Sequence, residues 1–178
     1  MGDDFSRDKD GNGAVVMFAE LAAYAASQGL TVAGLLDEVY CDVGYFLEVN
    51  QSKVFEGASG AAQIAKLADS YGASPPTEVD GSAVTNVRDF RKPGIVDEEG
   101  EAVSTEKMLF VDLADGRSFA VRPSGTEPKI KYYMFARQVP APGQKLSKEE
   151  LAAAKAKVSA SLNSMWAWLE KDIDARLA

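Results

Sequence analysis

Apolar residues follow two different periods along this chain, and the changes between them mark its elements. Residues 13–28 (GAVVMFAELAAYAASQ) are apolar nearly all round a helical turn, the pattern of a helix buried on most faces. Gly29 stands where a left-handed C-terminal cap belongs. Thr31 can then cap a second helix, in which Val32, Leu35, Leu36, Val39, Tyr40 and Val43 recur at helical spacing. So short a connection makes a helical hairpin. The residues before it cannot cover an almost wholly apolar helix, so the pair reads as the end of something larger. Residues 45–55 predict an extended segment. Residues 58–71 predict a third helix, with Ala61, Ile64, Ala65, Leu67, Ala68 and Tyr71 apolar and Gly72 as its stop. Ser74-Pro75-Pro76-Thr77 reads as a linker or turn.

The period then shortens to two. Residues 84–90, 108–113, 118–122 and 129–137 predict four short strands. Asp115-Gly116 is a tight hairpin turn between the second and third. Residues 94–106 carry Asp97, Glu98, Glu99, Glu101 and Glu106 and predict a solvated loop. Ser147 and Glu150 form a capping box. Leu151, Val158, Leu162, Met165, Trp166, Leu169, Ile173 and Leu177 then predict a helix over residues 148–175, its apolar face on the sheet. Trp166 falls on that stripe and belongs to the core, while Trp168 is the more exposed. The fold class is therefore α+β: a four-stranded antiparallel sheet flanked by helices, preceded by a helical hairpin left from a preceding domain. The expected domains are residues 1–45 and 46–178.

Composition narrows the chemistry. The 178 residues suit one domain, or one domain plus a fragment of another. There is no His, which excludes a Ser-His-Asp triad, a His general base and an imidazole metal site. The single Cys41 allows no internal disulfide or Cys-cluster metal site, and no basic residue stands near it in sequence to support reactivity. A net charge of −8 argues against a nucleic-acid partner. The longest apolar run, residues 14–26, is broken by Glu20 and too short for a bilayer, so no membrane is expected. Residues 2–12 are polar and acidic, unlike a signal peptide, and the lone thiol fits a cytoplasmic setting.

One segment concentrates what a phosphate needs: Arg122-Pro123-Ser124-Gly125-Thr126-Glu127-Pro128-Lys129-Ile130-Lys131. Arg122 offers a planar fork of donors. Ser124 and Thr126 add hydroxyls. Gly125 lets the backbone approach an anion closely. Pro123 and Pro128 stiffen both ends, which lowers the ordering cost of binding. Lys129 and Lys131, two apart on a strand, share a face. Residues 117–137 hold Arg117, Arg122, Lys129, Lys131 and Arg137 against Glu127 alone. A basic spot on an acidic chain suits a small anion rather than a long polyanion. Composition alone is equally met by a tight turn whose Gly and Ser serve geometry.

The run Val-Arg-Pro-Ser-Gly-Thr-Glu-Pro-Lys-Ile-Lys-Tyr-Tyr (121–133) resembles the C-terminal phosphate-binding loop of the α-D-phosphohexomutases, the phosphoglucomutase and phosphomannomutase family. Arg7-Asp8-Lys9-Asp10-Gly11 before an apolar helix is similar to the tail of that family's third domain. Leu35-Leu36-Asp37-Glu38-Val39-Tyr40 resembles the helix that follows, and Phe55-Glu56-Gly57 the start of the fourth domain. The resemblance runs through nearly the whole chain in family order. It implies that Arg122, Ser124, Gly125 and Thr126 grip the substrate's phosphate and that Lys131 matches a second basic position. It places Lys9, from the third domain, near the active site; Lys129, on the strand face of Lys131, is a further candidate for a place near the substrate. It also implies a fourth domain like the TATA-binding-protein fold, and a parent enzyme that interconverts hexose 1-phosphate and 6-phosphate through a phosphoserine with Mg2+.

Several family parts have no counterpart here. The serine loop of Ser-His-Asn-Pro type is missing, as are the Asp-Gly-Asp-x-Asp metal loop and the Gly-Glu-Glu-Ser sugar loop. The chain is therefore expected to start inside the third domain, to hold no catalytic residue and no metal ligand, and to be inactive alone. Its expected partners are a hexose phosphate, inorganic phosphate or sulfate, and the parent's upstream domains. The competing expectation is a free-standing, non-catalytic phosphate-binding or protein-interaction module. Asp8-Lys9-Asp10-Gly11-Asn12-Gly13 imitates the start of an EF-hand, but Ala19 fills the position that needs a bidentate Glu. It reads as a polar turn capping the apolar helix.

Overall fold

The computed structural model describes residues 9–57 and 59–178. They fall into two compact units, one of residues up to Tyr45 with Val139–Ala153, the other of Phe46–Gln138 with Ala154–Ala178.

The first unit is built on α1 (Gly11–Ser27) and α2 (Val32–Val43). Asp10 Oδ1 accepts the Gly13 N–H at 2.8 Å, so this carboxylate serves as a helix cap. Asp8 of the EF-hand-like segment lies outside the described residues. Gly29 takes φ +70°, and the Gly29 and Leu30 N–H groups return to the carbonyls of Ala26 and Ala25, which closes α1 as a Schellman motif. Thr31 Oγ1 accepts the Gly34 N–H at 3.0 Å and opens α2. The chain turns through 82° between the two helices. The expected burial of α1 does not hold. Only Ala25 is buried, while Val15 is 70% and Phe18 59% exposed. A helix apolar all round needs neighbours on every side, and here α2 offers one. No single described helix is long and apolar enough to cross a membrane.

The second unit carries the sheet. Its elements are β1 (Tyr45–Val54), α3 (Gly60–Ala73), β2 (Glu78–Val79), β3 (Ser82–Asp89), β4 (Leu109–Leu113), β5 (Ser118–Pro123), β6 (Lys129–Gln138) and most of α4 (Lys148–Leu177). Among the described residues six strands share one sheet in the order β1-β6-β5-β4-β3-β2, where the sequence predicted four. The four central strands are the predicted ones, and β2 to β6 pair antiparallel in succession. The two additions lie at the edges. β2 is only two residues long, too short for a period to register. Asp80 and Gly81 join it to β3 with φ of 49° and 76°, the same Asp-Gly hairpin signal as Asp115-Gly116.

Alternation sorts the sheet faces. Ile130, Tyr132, Met134 and Ala136 of β6 are buried, as are Leu109, Val111 and Leu113 of β4. This face is covered by α3 and α4. Leu67 and Tyr71 of α3 and Val158, Leu162, Met165, Leu169 and Ile173 of α4 are fully or nearly fully buried. Burial of each large apolar side chain contributes about 1.5–3 kcal/mol. Trp166 meets the Tyr132 ring edge-on at 5.6 Å and is half-buried rather than part of the core. On the other face Phe110 stacks on Phe135 at 5.5 Å, with the Arg88 guanidinium over Phe110.

Two residues play parts their sequence positions hid. Gly72 does not stop α3, which runs on to Ala73. A Cβ there would collide with the Arg91 guanidinium, which is held by Asp89 at 2.7 Å. Arg117, one of the bases in the basic segment, is turned inward and 10% exposed. It binds Asp80 at 2.6 Å, Asp115 at 2.8 Å and the Ser161 carbonyl at 3.0 Å. It thereby ties both Asp-Gly hairpins to α4. The capping box forms as expected. Glu150 Oε2 accepts the Ser147 N–H at 2.7 Å, and Ser147 Oγ accepts the Glu150 N–H at 3.1 Å.

Candidate functional site

The 123–128 loop joins β5 to β6 at one end of the sheet. Ladder pairing runs right up to its base, with Arg122 opposite Lys131 and Pro123 opposite Ile130. A directly opposed antiparallel pair puts both side chains on one face, so two cations stand together under the loop. Inside it the Ser124 N–H donates to the Lys129 carbonyl at 2.9 Å and the Lys129 N–H to the Glu127 carbonyl at 2.7 Å. These bonds hold the turn. They leave the N–H groups of Gly125 and Thr126, and the hydroxyls of Ser124 and Thr126, without partners among the described residues.

Ser124 is half-buried, and Gly125, Thr126 and Arg122 are exposed. Gly125 has open space where a Cβ would stand, so a ligand can reach its backbone. Arg122 meets Glu106 at 3.7 Å, each side chain 49% exposed. Lys129 is not free. Its ammonium donates to Glu127 Oε1 at 2.8 Å. That bond, with Lys131 near by, holds the Glu127 carboxyl below the usual carboxylate range. Lys131 has no ion pair among the described residues. Lys9 belongs to the first unit and is exposed.

Two hollows in the second unit flank the loop. One, of about 550 Å³, is largely apolar, walled by Ala61, Ile64, Ala68, Met108 and Pro128 with Ser124 at its edge. The other, of about 190 Å³, lies between β1 and β6 and is lined by Asn50, Gln51, Ser52, Lys129, Lys131 and Tyr133. Asn50, Gln51 and Ser52 come to Lys131 only because β1 lies beside β6, which no local pattern in the sequence shows. Glu106 was legible only as one acid of a solvated loop. Among the described residues no three His, Cys, Asp or Glu side chains gather to hold a metal ion. They do not fit the magnesium that the family resemblance implies.

An antiparallel sheet with helices over one face defines an α+β domain, and one end of that sheet carries a basic, hydroxyl-bearing loop. Residues 53–159 match the family model "Phosphoglucomutase/phosphomannomutase, C-terminal domain". The chain belongs to the phosphoglucomutase/phosphomannomutase family. A phosphoglucomutase of Staphylococcus haemolyticus is 33% identical over 138 residues, 75% of this chain and 25% of that protein. A probable phosphomannomutase of Haemophilus influenzae is 33% identical over 131 residues, 74% of this chain and 24% of that protein. The solved open form of the phosphoglucomutase-like phosphoprotein parafusin from Paramecium aligns with 96% of this chain and 28% of its own, at 15% identity and a TM-score of 0.43. The chain spans about a quarter of the length of the relatives it matches.

Proposed function

We propose that this chain is the part of a phosphoglucomutase or phosphomannomutase that grips the substrate's phosphate, in an enzyme interconverting hexose 1-phosphate and hexose 6-phosphate through a phosphoserine. The observation that carries the reading is the cation pair Arg122 and Lys131, opposed beneath a loop with two unpartnered hydroxyls. Arg122 supplies a bidentate fork, Ser124 and Thr126 donate hydroxyl hydrogens, and the Gly125 N–H completes the cradle. Lys131 adds a second positive charge. Lys129 holds Glu127 away from the anion. The long, half-exposed contact between Glu106 and Arg122 is worth under about 1 kcal/mol, so a phosphate dianion displaces it. In this reading phosphoryl transfer is left to residues of the parent that this chain does not hold.

The test is a titration of the chain with inorganic phosphate, followed by amide NMR shifts. The amides of Ser124, Gly125 and Thr126 should move together, with a dissociation constant on the order of millimolar, since one anion meets few groups here. Arg122→Ala should abolish the shifts, and Arg122→Lys should restore them only in part. Glu106→Gln should tighten binding about two- to fivefold by freeing the fork. If those amides stay still, or move equally in Arg122→Ala, the loop is a structural turn and the reading fails.

A further inference from the structure

We infer that the hollow between α3 and the sheet is a second binding site, for a small amphipathic monoanion whose apolar body lies against α3 and whose carboxylate or sulfonate head meets Lys107. The inference stands apart from the phosphate reading of the 123–128 loop. Val121 and Arg122 are consecutive on β5 and so point to opposite faces of the sheet, Val121 into the hollow and Arg122 away from it. The hollow measures about 550 Å³, the scale of a site for one small molecule. Its floor is the cross-strand pair Leu109 and Val121, both buried. One wall is α3, where Ala61, Ile64, Ala65 and Ala68 share a face at three- and four-residue spacing. Leu67 and Tyr71 of the same helix are fully buried, yet Ala61 and Ala65 stay exposed, so the chain's own packing does not fill this side of α3. The end wall is the loop, through Pro123, Ser124 and Pro128.

The charges around the opening decide the head group. Asp69, Arg91, Lys107 and Glu127 line it. Three of them are already matched. Arg91 is held by Asp89 at 2.7 Å and by Asp69 at 3.2 Å, and Glu127 accepts from Lys129 at 2.8 Å. The Lys107 side chain is exposed and makes no ion pair or hydrogen bond among the described residues. One cation is therefore left over, and the hollow complements one negative charge. A cationic head would find both acids taken. A phosphate dianion would meet a single unmatched cation here, against the opposed pair Arg122 and Lys131 beneath the loop. A sugar would desolvate its hydroxyls against Ile64, Leu109 and Val121 without replacing their hydrogen bonds. An apolar chain or ring bearing one carboxylate or sulfonate satisfies both the floor and Lys107.

The experiment titrates the intact chain with hexanoate, octanoate and decanoate, each kept below micelle formation, and follows amide NMR shifts. The amides of Ile64, Ala65, Ala68 and Met108 should move. Affinity should rise roughly two- to fourfold per added methylene until the hollow is filled. Ala65→Leu, at an exposed position and with a good helix former, should lower octanoate affinity about tenfold or more by occupying the space. Lys107→Ala should lower it about two- to fivefold and leave octanol binding as it was. Arg122→Ala should change neither. The absence of shifts at α3 with all three acids would overturn the inference. So would shifts confined to Ser124–Thr126 and lost in Arg122→Ala, which would put the anion on the loop. Octyltrimethylammonium binding as tightly as octanoate would overturn it too, as would binding that survives Ala65→Leu with shifts at Val15 to Leu21 of the exposed α1, since either is unselective adsorption to apolar surface. Shifts of Ile64, Ala65 and Ala68 that follow protein concentration and exclude octanoate would assign the hollow to a second copy of the chain instead. The loop's own phosphate titration stands or falls separately in each case.

Discussion

Arg117 and Arg122 lie five positions apart on one basic segment, yet the structure gives them opposite tasks. Arg122 stands half-exposed at the loop, and Arg117 is closed in by Asp80, Asp115 and the Ser161 carbonyl. Partial burial pushes the Asp80 carboxyl up, but hydrogen bonds from Arg117 and Ser164 outweigh it and hold the group below its ordinary value of 3.8. Arg117→Ala leaves Asp80 and Asp115 without their cation and should cost about 3 kcal/mol, read as a lower urea midpoint. A pH series checks the cause. A carboxyl with a depressed folded pKa contributes stability that is full above its unfolded value and is lost as pH falls through the folded one. The unaltered chain should therefore lose stability as pH drops below about 4, and Arg117→Ala should show a flatter acid limb.

Among the elements, α3 shows local propensity and tertiary packing in direct opposition. Gly in a helix interior costs roughly 0.5–1 kcal/mol relative to Ala, so Gly72→Ala would by itself stabilise α3. The added methyl would meet the Arg91 guanidinium, which is anchored by Asp89, Asp69 and the Ala68 carbonyl. Gly72→Ala should therefore destabilise the chain by about 1 kcal/mol, because Arg91 must give up part of that set. Placed on an Arg91→Ala background the same change should stabilise. The inversion of sign in this double-mutant cycle, read from urea midpoints, is the measurement; a substitution that stabilises in both backgrounds would show that Arg91 yields freely.

At the scale of the whole molecule, the proposed reading makes the 123–128 loop one wall of a site whose phosphoryl chemistry lies elsewhere in the parent. The chain contains no His, and its described residues gather no metal-binding cluster. Phosphoryl transfer needs a positioned nucleophile and charge neutralisation at the transferring group. The purified chain should accordingly give no turnover of glucose 1-phosphate above background in a coupled assay with magnesium present. Measurable turnover abolished by Arg122→Ala would show that the chain is a catalyst in its own right.

What the sequence determined by itself is local. Asp115-Gly116 made a hairpin, Thr31 and the Ser147–Glu150 box opened helices, and Gly29 closed one, because caps and tight turns are settled by neighbours within a few positions. The candidate loop was equally legible, since all its groups are contiguous. Tertiary structure decided whatever depended on partners remote in the chain. It set β1 beside β6 and so assembled Asn50, Gln51 and Tyr133 around Lys131, residues some 80 positions apart with no local pattern to join them. It turned Arg117 inward, kept α3 helical through Gly72, and left most of α1 exposed where its composition promised burial. Helical periodicity states which residues seek cover, but only the packed neighbours provide it, and the described residues place little more than α2 against α1.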